Sequence, residues 1–480
     1  MLIFVRLITI MVSIFVTRLL SGYFSMYEYG TYSQVMLLVT TISSVTIMGM
    51  MDGINYFFCR EKDESKRNSY ISTIFFLQYA MSAVVSIVLL CCTVPVSLYF
   101  DNESLRPLII FAAILPVLQN SISMLQIMFV AIGKTKQIAV RNFVLSLLKL
   151  LAVILACYAF DNYVVVLICQ VLFDVAQVVY FCAVLRVNNC RINIFKFDKT
   201  LILEILKYCV PMAMFTVMKT LNRDCDKFVI SALTDTETLA VYSNASKMLP
   251  FDIIMSSFCT VLLPYITRAI SQRKYEFAHG LYKAFLELSY ISTAIFAVGA
   301  ICVAPELMRF LYTEKYISGI YVFIIYIVVE IISVLNITLL LSAAGKTKKI
   351  MFVSLGSFAS NVILNLLFFK LWGIIGPAIA TLLVTFLQGI VILSMGAKEL
   401  GMSFFGMFNL KRLVVFGLQL VAVLVSMLGI RYLLVWLDVP YMVTLIGVYG
   451  AFAVIMLLLN FKRLKGNIDL INGCKSTNIG

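Results

Sequence analysis

Apolar runs of about twenty residues, broken by short polar stretches, recur along the whole chain. A helix rising about 1.5 Å per residue needs about twenty residues to cross the hydrocarbon core of a bilayer. Splitting the runs at charge and turn signals predicts fourteen helices, at 2–21, 32–57, 70–94, 107–132, 142–160, 164–185, 205–232, 240–267, 281–311, 319–344, 350–372, 376–397, 413–437 and 441–461. The first run carries Arg6 and Arg18, lacks a small-residue cleavage pattern, and is expected to remain as a helix. The tail after Lys465 is polar and expected to be mobile.

Charge in the connections orients this array. Alternate connections hold 24 Lys and Arg, and the opposite set holds at most four: Arg106, Lys315, Lys370 and Arg431. Such asymmetry places both termini in the cytoplasm. It also absorbs the formal net charge of +14, which in a soluble chain would point to nucleic acid; none is expected as a partner here.

An internal repeat is legible. Gly133-Lys134-Thr135-Lys136 returns as Gly345-Lys346-Thr347-Lys348 at an offset of 212. Gly30-Thr31-Tyr32-Ser33 resembles Ala240-Val241-Tyr242-Ser243 at 210, and Leu98-Tyr99 resembles Leu311-Tyr312 at 213. Six helices, an even number, separate the copies, so the halves run in the same direction, as two lobes about an axis along the membrane normal. The predicted fold is an all-α polytopic membrane protein: two parallel six-helix lobes (1–200 and 201–397) around a central cavity, two further helices (398–461) and a cytoplasmic tail (462–480).

Composition agrees with a membrane chain: 62% hydrophobic, 13% charged, mean hydropathy +1.00. The 12 cysteines are scattered and include no CxxC, so neither a metal site nor a disulfide framework is expected. The single His279 is expected to be solvated in a cytoplasmic connection. The Gly-Lys-Thr triplets are not phosphate loops: that motif needs glycine five residues earlier, where Met128 and Leu340 stand. No Ser–His–Asp set, HExxH motif or carboxylate pair on a sizeable soluble loop is present, so neither catalysis nor a cofactor is expected.

Candidate chemistry lies in the intramembrane charges, each of which costs about 2.5–3.5 kcal/mol at the centre of a helix. They concentrate in 217–252. Lys219, Arg223 and Asp226 are spaced to share one helix face, flanked by Asn222 and Asp224. Such a face would grip an anionic group; if the helix ended near Asp224 the same residues would sit at the outer interface. Lys247 and Asp252 flank Pro250, which interrupts a helix. Arg6 and Arg18, roughly 18 Å apart along their helix, are candidates to line the same cavity. Asp52 lies within Gly49-x-x-x-Gly53, a close-packing motif. Lys149, Asp174, Glu287 and Glu330 are read as pairs internal to a lobe.

The run Gly22–Arg60, with Glu28-Tyr29-Gly30-Thr31-Tyr32 and Gly49-Met50-Met51-Asp52-Gly53, resembles the opening of bacterial polysaccharide-biosynthesis flippases of the Wzx type. Asp226-Lys227-Phe228, then Ala240-Val241-Tyr242-Ser243 and Leu263-Pro264, continue the likeness, as do the two Gly-Lys-Thr-Lys turns. The resemblance implies membership of the multidrug/oligosaccharidyl-lipid/polysaccharide exporter superfamily, in the bacterial inner membrane. The implied substrate is an undecaprenyl-diphosphate-linked oligosaccharide, flipped to the outer leaflet through a cationic cavity, with Arg6, Arg18, Lys219, Arg223 and Lys247 as substrate-binding candidates. It leaves open coupling to H+ or Na+, for which Asp52, Asp226 and Asp252 are the coupling or gating candidates. Implied partners are the lipid-diphosphate oligosaccharide, membrane lipids, and polysaccharide polymerase and chain-length proteins. The alternatives are a multidrug exporter of the same superfamily, which would favour acidic cavity residues, and a membrane polymerase or ligase, which would need a sizeable outward loop.

Overall fold

The structure, a computed structural model, describes residues 2–60, 63–131, 135–187 and 196–476. Among them there is no β-strand. The first part of the chain forms α1 (Leu2–Tyr23), α2 (Met26–Thr46), α3 (Met50–Arg60), α4 (Glu64–Cys91), α5 (Thr93–Tyr99), α6 (Ile109–Ala131), α7 (Thr135–Leu155) and α8 (Tyr163–Val187). Then follow α9 (Ile202–Leu233), α10 (Thr236–Ala245), α11 (Ile253–Ser271), α12 (Tyr275–Cys302), α13 (Ala304–Tyr312), α14 (Ile320–Ser333), α15 (Leu339–Ala343), α16 (Thr347–Trp372) and α17 (Ile375–Glu399). The chain closes with α18 (Leu410–Trp436) and α19 (Tyr441–Ser476).

Each predicted stretch is mostly helical in its described residues, but 32–57 breaks at 47–49, 240–267 at 246–249 and 319–344 at 337–338. Among the described residues ten spans are long and apolar enough to cross a membrane, or eleven if the bent pair α2 and α3 counts as one. Outside these lie α1, of which Met11–Tyr23 is a shorter apolar helix, and α9, α10 and α11. The protein is a polytopic membrane protein.

The repeat reappears as element order. A long helix, a one-residue break, a short helix ending in Leu-Tyr, a 3-10 segment and another long helix run from α4 through Glu103–Leu108 to α6, and again from α12 through Glu314–Gly319 to α14. In both copies a residue just past the Leu-Tyr pair, Asp101 or Thr313, adopts positive φ to end the short helix. The second Gly-Lys-Thr-Lys turn has a concrete role. Gly345, at φ +69, caps α15: its N–H donates to the Ser342 carbonyl, and the Lys346 N–H donates to that of Leu341. Gly133 and Lys134 of the first turn lie outside the described residues.

Contacts divide the chain into two compact units: Met1–Ser243 with Leu311–Lys315, and Asn244–Phe310 with Tyr316–Gly480. The division falls after Ser243, within α10. The reason is α9, whose Ile205 and Cys209 join Met50, Ile54, Phe57, Ile71 and Phe75 in one apolar core. Gly53 faces Cys209 there, as a close-packing glycine should, while Gly49 at φ +67 forms the break between α2 and α3. At the far end of α9, Gly30 of α2 lies against the Thr236 backbone, where a Cβ would strike the Thr236 carbonyl. Beside it, Asn102 donates to Thr31 Oγ1 at 2.8 Å and to Gln34 Oε1 at 2.7 Å, and accepts from Tyr27.

In the second unit two expectations change. Residues after Lys465 are helical to Ser476, because Leu464, Ile468 and Ile471 present an apolar stripe to the core of that unit. His279 lies in α12, with Nε2 3.3 Å from the Gly406 carbonyl oxygen.

Candidate functional site

In α9, a stripe of Ile205, Cys209, Ala213 and Thr220 is buried and leads to Asp224. Helical periodicity therefore turns Asp224 into the core of its unit, where an unpaired carboxylate would be expensive. Two cations from its own helix compensate. Arg223 Nη2 lies 2.8 Å from Oδ2, and Lys227 Nζ lies 2.9 Å from Oδ1. Arg223 Nε adds a longer contact of 3.4 Å to Oδ1.

Arg223 and Asp226, expected on one face, diverge. The Asp226 carboxylate is fully buried and accepts the Tyr242 hydroxyl at 2.7 Å and the Lys227 N–H at 2.8 Å. The Arg223 side chain remains 52% exposed. Its Nε–Nη2 edge goes to Asp224, which leaves the Nη1 side of the fork for another acceptor. The hairpin of α9 and α10 thus holds a carboxylate clamped by a phenol and, one turn away, a half-exposed guanidinium.

The hairpin is set by its turn. Asp235 Oδ1 accepts the Thr238 N–H at 2.7 Å and caps α10. That N–H holds the Asp235 carboxyl below the ordinary range. At the equivalent point in the first copy, Ser25 caps α2 in a reciprocal box with Glu28.

The other candidates are dispersed. Arg18 is half-buried in α1, which packs on α7. Asp52 is exposed on α3. Lys247 belongs to the second unit, exposed in the break that Pro250 introduces between α10 and α11. There the Leu249 N–H, left without a helical partner, donates to the buried Glu330 of α14. The side chains of Arg6, Lys219 and Asp252 lie outside the described residues. Asp174 accepts from Gln170 and Gln177 within α8, at 2.8 and 3.0 Å. Glu287 pairs with Arg412 at 3.2 Å.

Sequence reasoning passed over three partners. Lys227 could have been found as the residue three after Asp224, a spacing that favours an ion pair. Tyr242 was visible only as part of a repeated motif. Glu306, which Arg431 grips through Nε and Nη2, was masked by lying next to an apolar run. Among the described residues no group of three or more His, Cys, Asp or Glu could hold a metal ion.

A family model described as "Polysaccharide biosynthesis protein" matches residues 15–321. No curated protein matches the chain. Among solved structures, the fold is similar to that of the lipid II flippase MurJ in an inward closed conformation, with TM-score 0.73 and 17% identity over 95% of this chain and 98% of that one. It is also similar to an inward-facing multidrug resistance MATE family transporter of the MOP superfamily, with TM-score 0.63 and 12% identity over 82% and 94%. A third similar structure is a MOP superfamily transporter from Pyrococcus furiosus, with TM-score 0.58 and 14% identity over 83% and 93%.

Proposed function

Because this chain belongs to the polysaccharide biosynthesis protein family, we propose that it is a flippase for an undecaprenyl-diphosphate-linked oligosaccharide, moving it from the cytoplasmic to the outer leaflet. The carrying observation is the half-exposed Arg223 held on Asp224 in a helix otherwise surrounded by apolar spans. A diphosphate with sugars cannot cross hydrocarbon without leaving its hydrogen bonds unmet. A guanidinium presented from a membrane helix offers the charge-assisted donors that a diphosphate needs.

In this reading all fourteen helical stretches cross the membrane, both termini are cytoplasmic, and the membrane is the bacterial inner membrane. The lobes 1–200 and 201–397 rock about a central cavity to which Arg6, Arg18, Lys219 and Lys247 add positive charge. Asp52, Asp226 and Asp252 are the carboxylates through which H+ or Na+ would act.

The test is transfer of a labelled lipid-diphosphate oligosaccharide across the bilayer of proteoliposomes. Wild-type protein should transfer it, and Arg223→Ala should transfer it about tenfold more slowly, the loss of one charged hydrogen-bonding partner. Thermal unfolding of the variant serves as the control, since Asp224 retains Lys227. No transfer by wild-type protein, together with drug efflux, would make the chain a multidrug exporter of the same superfamily.

A further inference from the structure

We infer that the groove between α7 and α8 is a binding site for an anionic phospholipid, distinct from the transport path. The groove has a volume of about 470 Å³, and besides Gln177 it is lined by Val140, Arg141, Val144, Leu145, Ala176 and Tyr180. Apart from Arg141, Gln177 and the Tyr180 hydroxyl, the lining is apolar. Both helices are among the membrane spans, and their outer faces are apolar and exposed, including Val140, Val144, Leu151, Leu172 and Val179. The groove therefore opens where lipid tails would lie.

Charge sets the occupant. Arg141 Nη2 donates to Gln126 at 3.1 Å and to Asn142, and the guanidinium stacks over the Phe181 ring at 4.3 Å. Its Nε and Nη1 are buried and, among the described residues, have no hydrogen-bond acceptor. Lys149 on the same helix adds a second cation, and Asp174, a carboxylate that faces both, has its oxygens engaged by Gln170 and Gln177. The cluster carries an excess positive charge inside a membrane span, with donors in need of an acceptor. A phosphodiester supplies both the charge and the acceptor oxygens, and its acyl chain fills the apolar remainder of the groove. Arg141 lies near the start of α7, and Tyr180 lies near the end of α8, where Arg186 follows. The site is thus at the basic end of the helix pair, the level at which anionic headgroups meet basic pockets between membrane helices.

The experiment is native mass spectrometry of the full-length protein released from vesicles of phosphatidylglycerol or phosphatidylcholine, joined to photo-crosslinking with a diazirine-tailed phosphatidylglycerol. Wild-type protein should retain phosphatidylglycerol over phosphatidylcholine and crosslink in α7 or α8. Arg141→Ala should lower retention about tenfold. Val144→Trp, which fills the groove and keeps the guanidinium, should do the same and guards against a folding defect in the first variant. Equal retention of the two lipids, unchanged retention in both variants, or crosslinks confined to other helices would overturn the proposal. Displacement of the crosslink by a polyprenyl diphosphate would also overturn it, by making the groove part of the transport path. Apart from that displacement, which would place the groove in the proposed transport path, these outcomes leave the flippase reading to its own transfer assay.

Discussion

α4 and α12 hold the same place in the two copies of the element order, yet their surroundings differ. Of the apolar window of α12, 83% is buried within the protein; for α4 the share is 28%. The difference comes from α18 and α19, the helices outside the repeat. Phe452 and Met456 of α19 and Phe416 and Met427 of α18 pack with Ile291, Ile295, Val298 and Cys302 of α12. Two ion pairs add to this cover: Arg412 with Glu287 and Arg431 with Glu306. Thr93 and Ala304, which open the short helices, differ by 211. At that offset the first copy has Phe76 and Pro95 in place of Glu287 and Glu306. The copies diverge where one must face lipid and the other must receive two more helices.

The strongest way to break this asymmetry is at Glu306. Glu306→Gln leaves the Arg431 guanidinium largely enclosed without its carboxylate, and should cost about 3–5 kcal/mol. The readout is thermal unfolding of the detergent-solubilised protein. Pairing it with Arg431→Met should recover most of the loss, which a role unrelated to the ion pair would not predict.

A second change sharpens the comparison at matched positions. Gly299 of α12 faces Phe452 and Tyr449, whose side chains would lie 3.0–3.2 Å from an added Cβ. Gly299→Leu should destabilise by about 1–3 kcal/mol through overpacking. Its counterpart at the same offset, Val88, is exposed on α4, and Val88→Leu should stay within about 0.5 kcal/mol of wild type. Equal effects would remove the distinction between a covered and a lipid-facing helix.

The smallest effect concerns the caps. Ser25→Ala and Asp235→Ala should each cost about 1 kcal/mol. Only at Asp235 does the structure give a pH sign. Its folded carboxyl titrates below the ordinary value because Thr238 donates to it. The contribution is therefore present above the unfolded carboxylate pKa and is lost as pH falls through the lower folded value, below about pH 4. Asp235→Ser should keep the cap and abolish that acid-side loss, as read by melts at neutral and acid pH.

Hydropathy made the helical stretches legible because a bilayer demands long apolar runs whatever the tertiary packing. The repeated Leu98-Tyr99 and Leu311-Tyr312 pairs mark real helix ends. Polarity misled at the C-terminus, where Leu464, Ile468 and Ile471 carry the helix through a charged stretch. The candidate site was legible in kind, as a charged hairpin, but not in detail. Periodicity gives each residue an angle about its own helix and says nothing of the neighbour that waits there. Tyr242 takes Asp226 from 16 residues away, and Arg431 takes Glu306 from 125. The packing of α9 on α3, set by Gly53 against Cys209, and of α10 on α2, set by Gly30 against Thr236, is likewise a matter of shape.

Gly30 carries one more consequence. Only a hydrogen separates α2 from the Thr236 carbonyl there, so a single methyl acts as a spacer with no charge, crosslink or ligand. A Gly30→Ala protein would hold the mouth of the α2–α10 junction ajar, giving a chemically silent wedge with which to trap that end of the molecule for structural study.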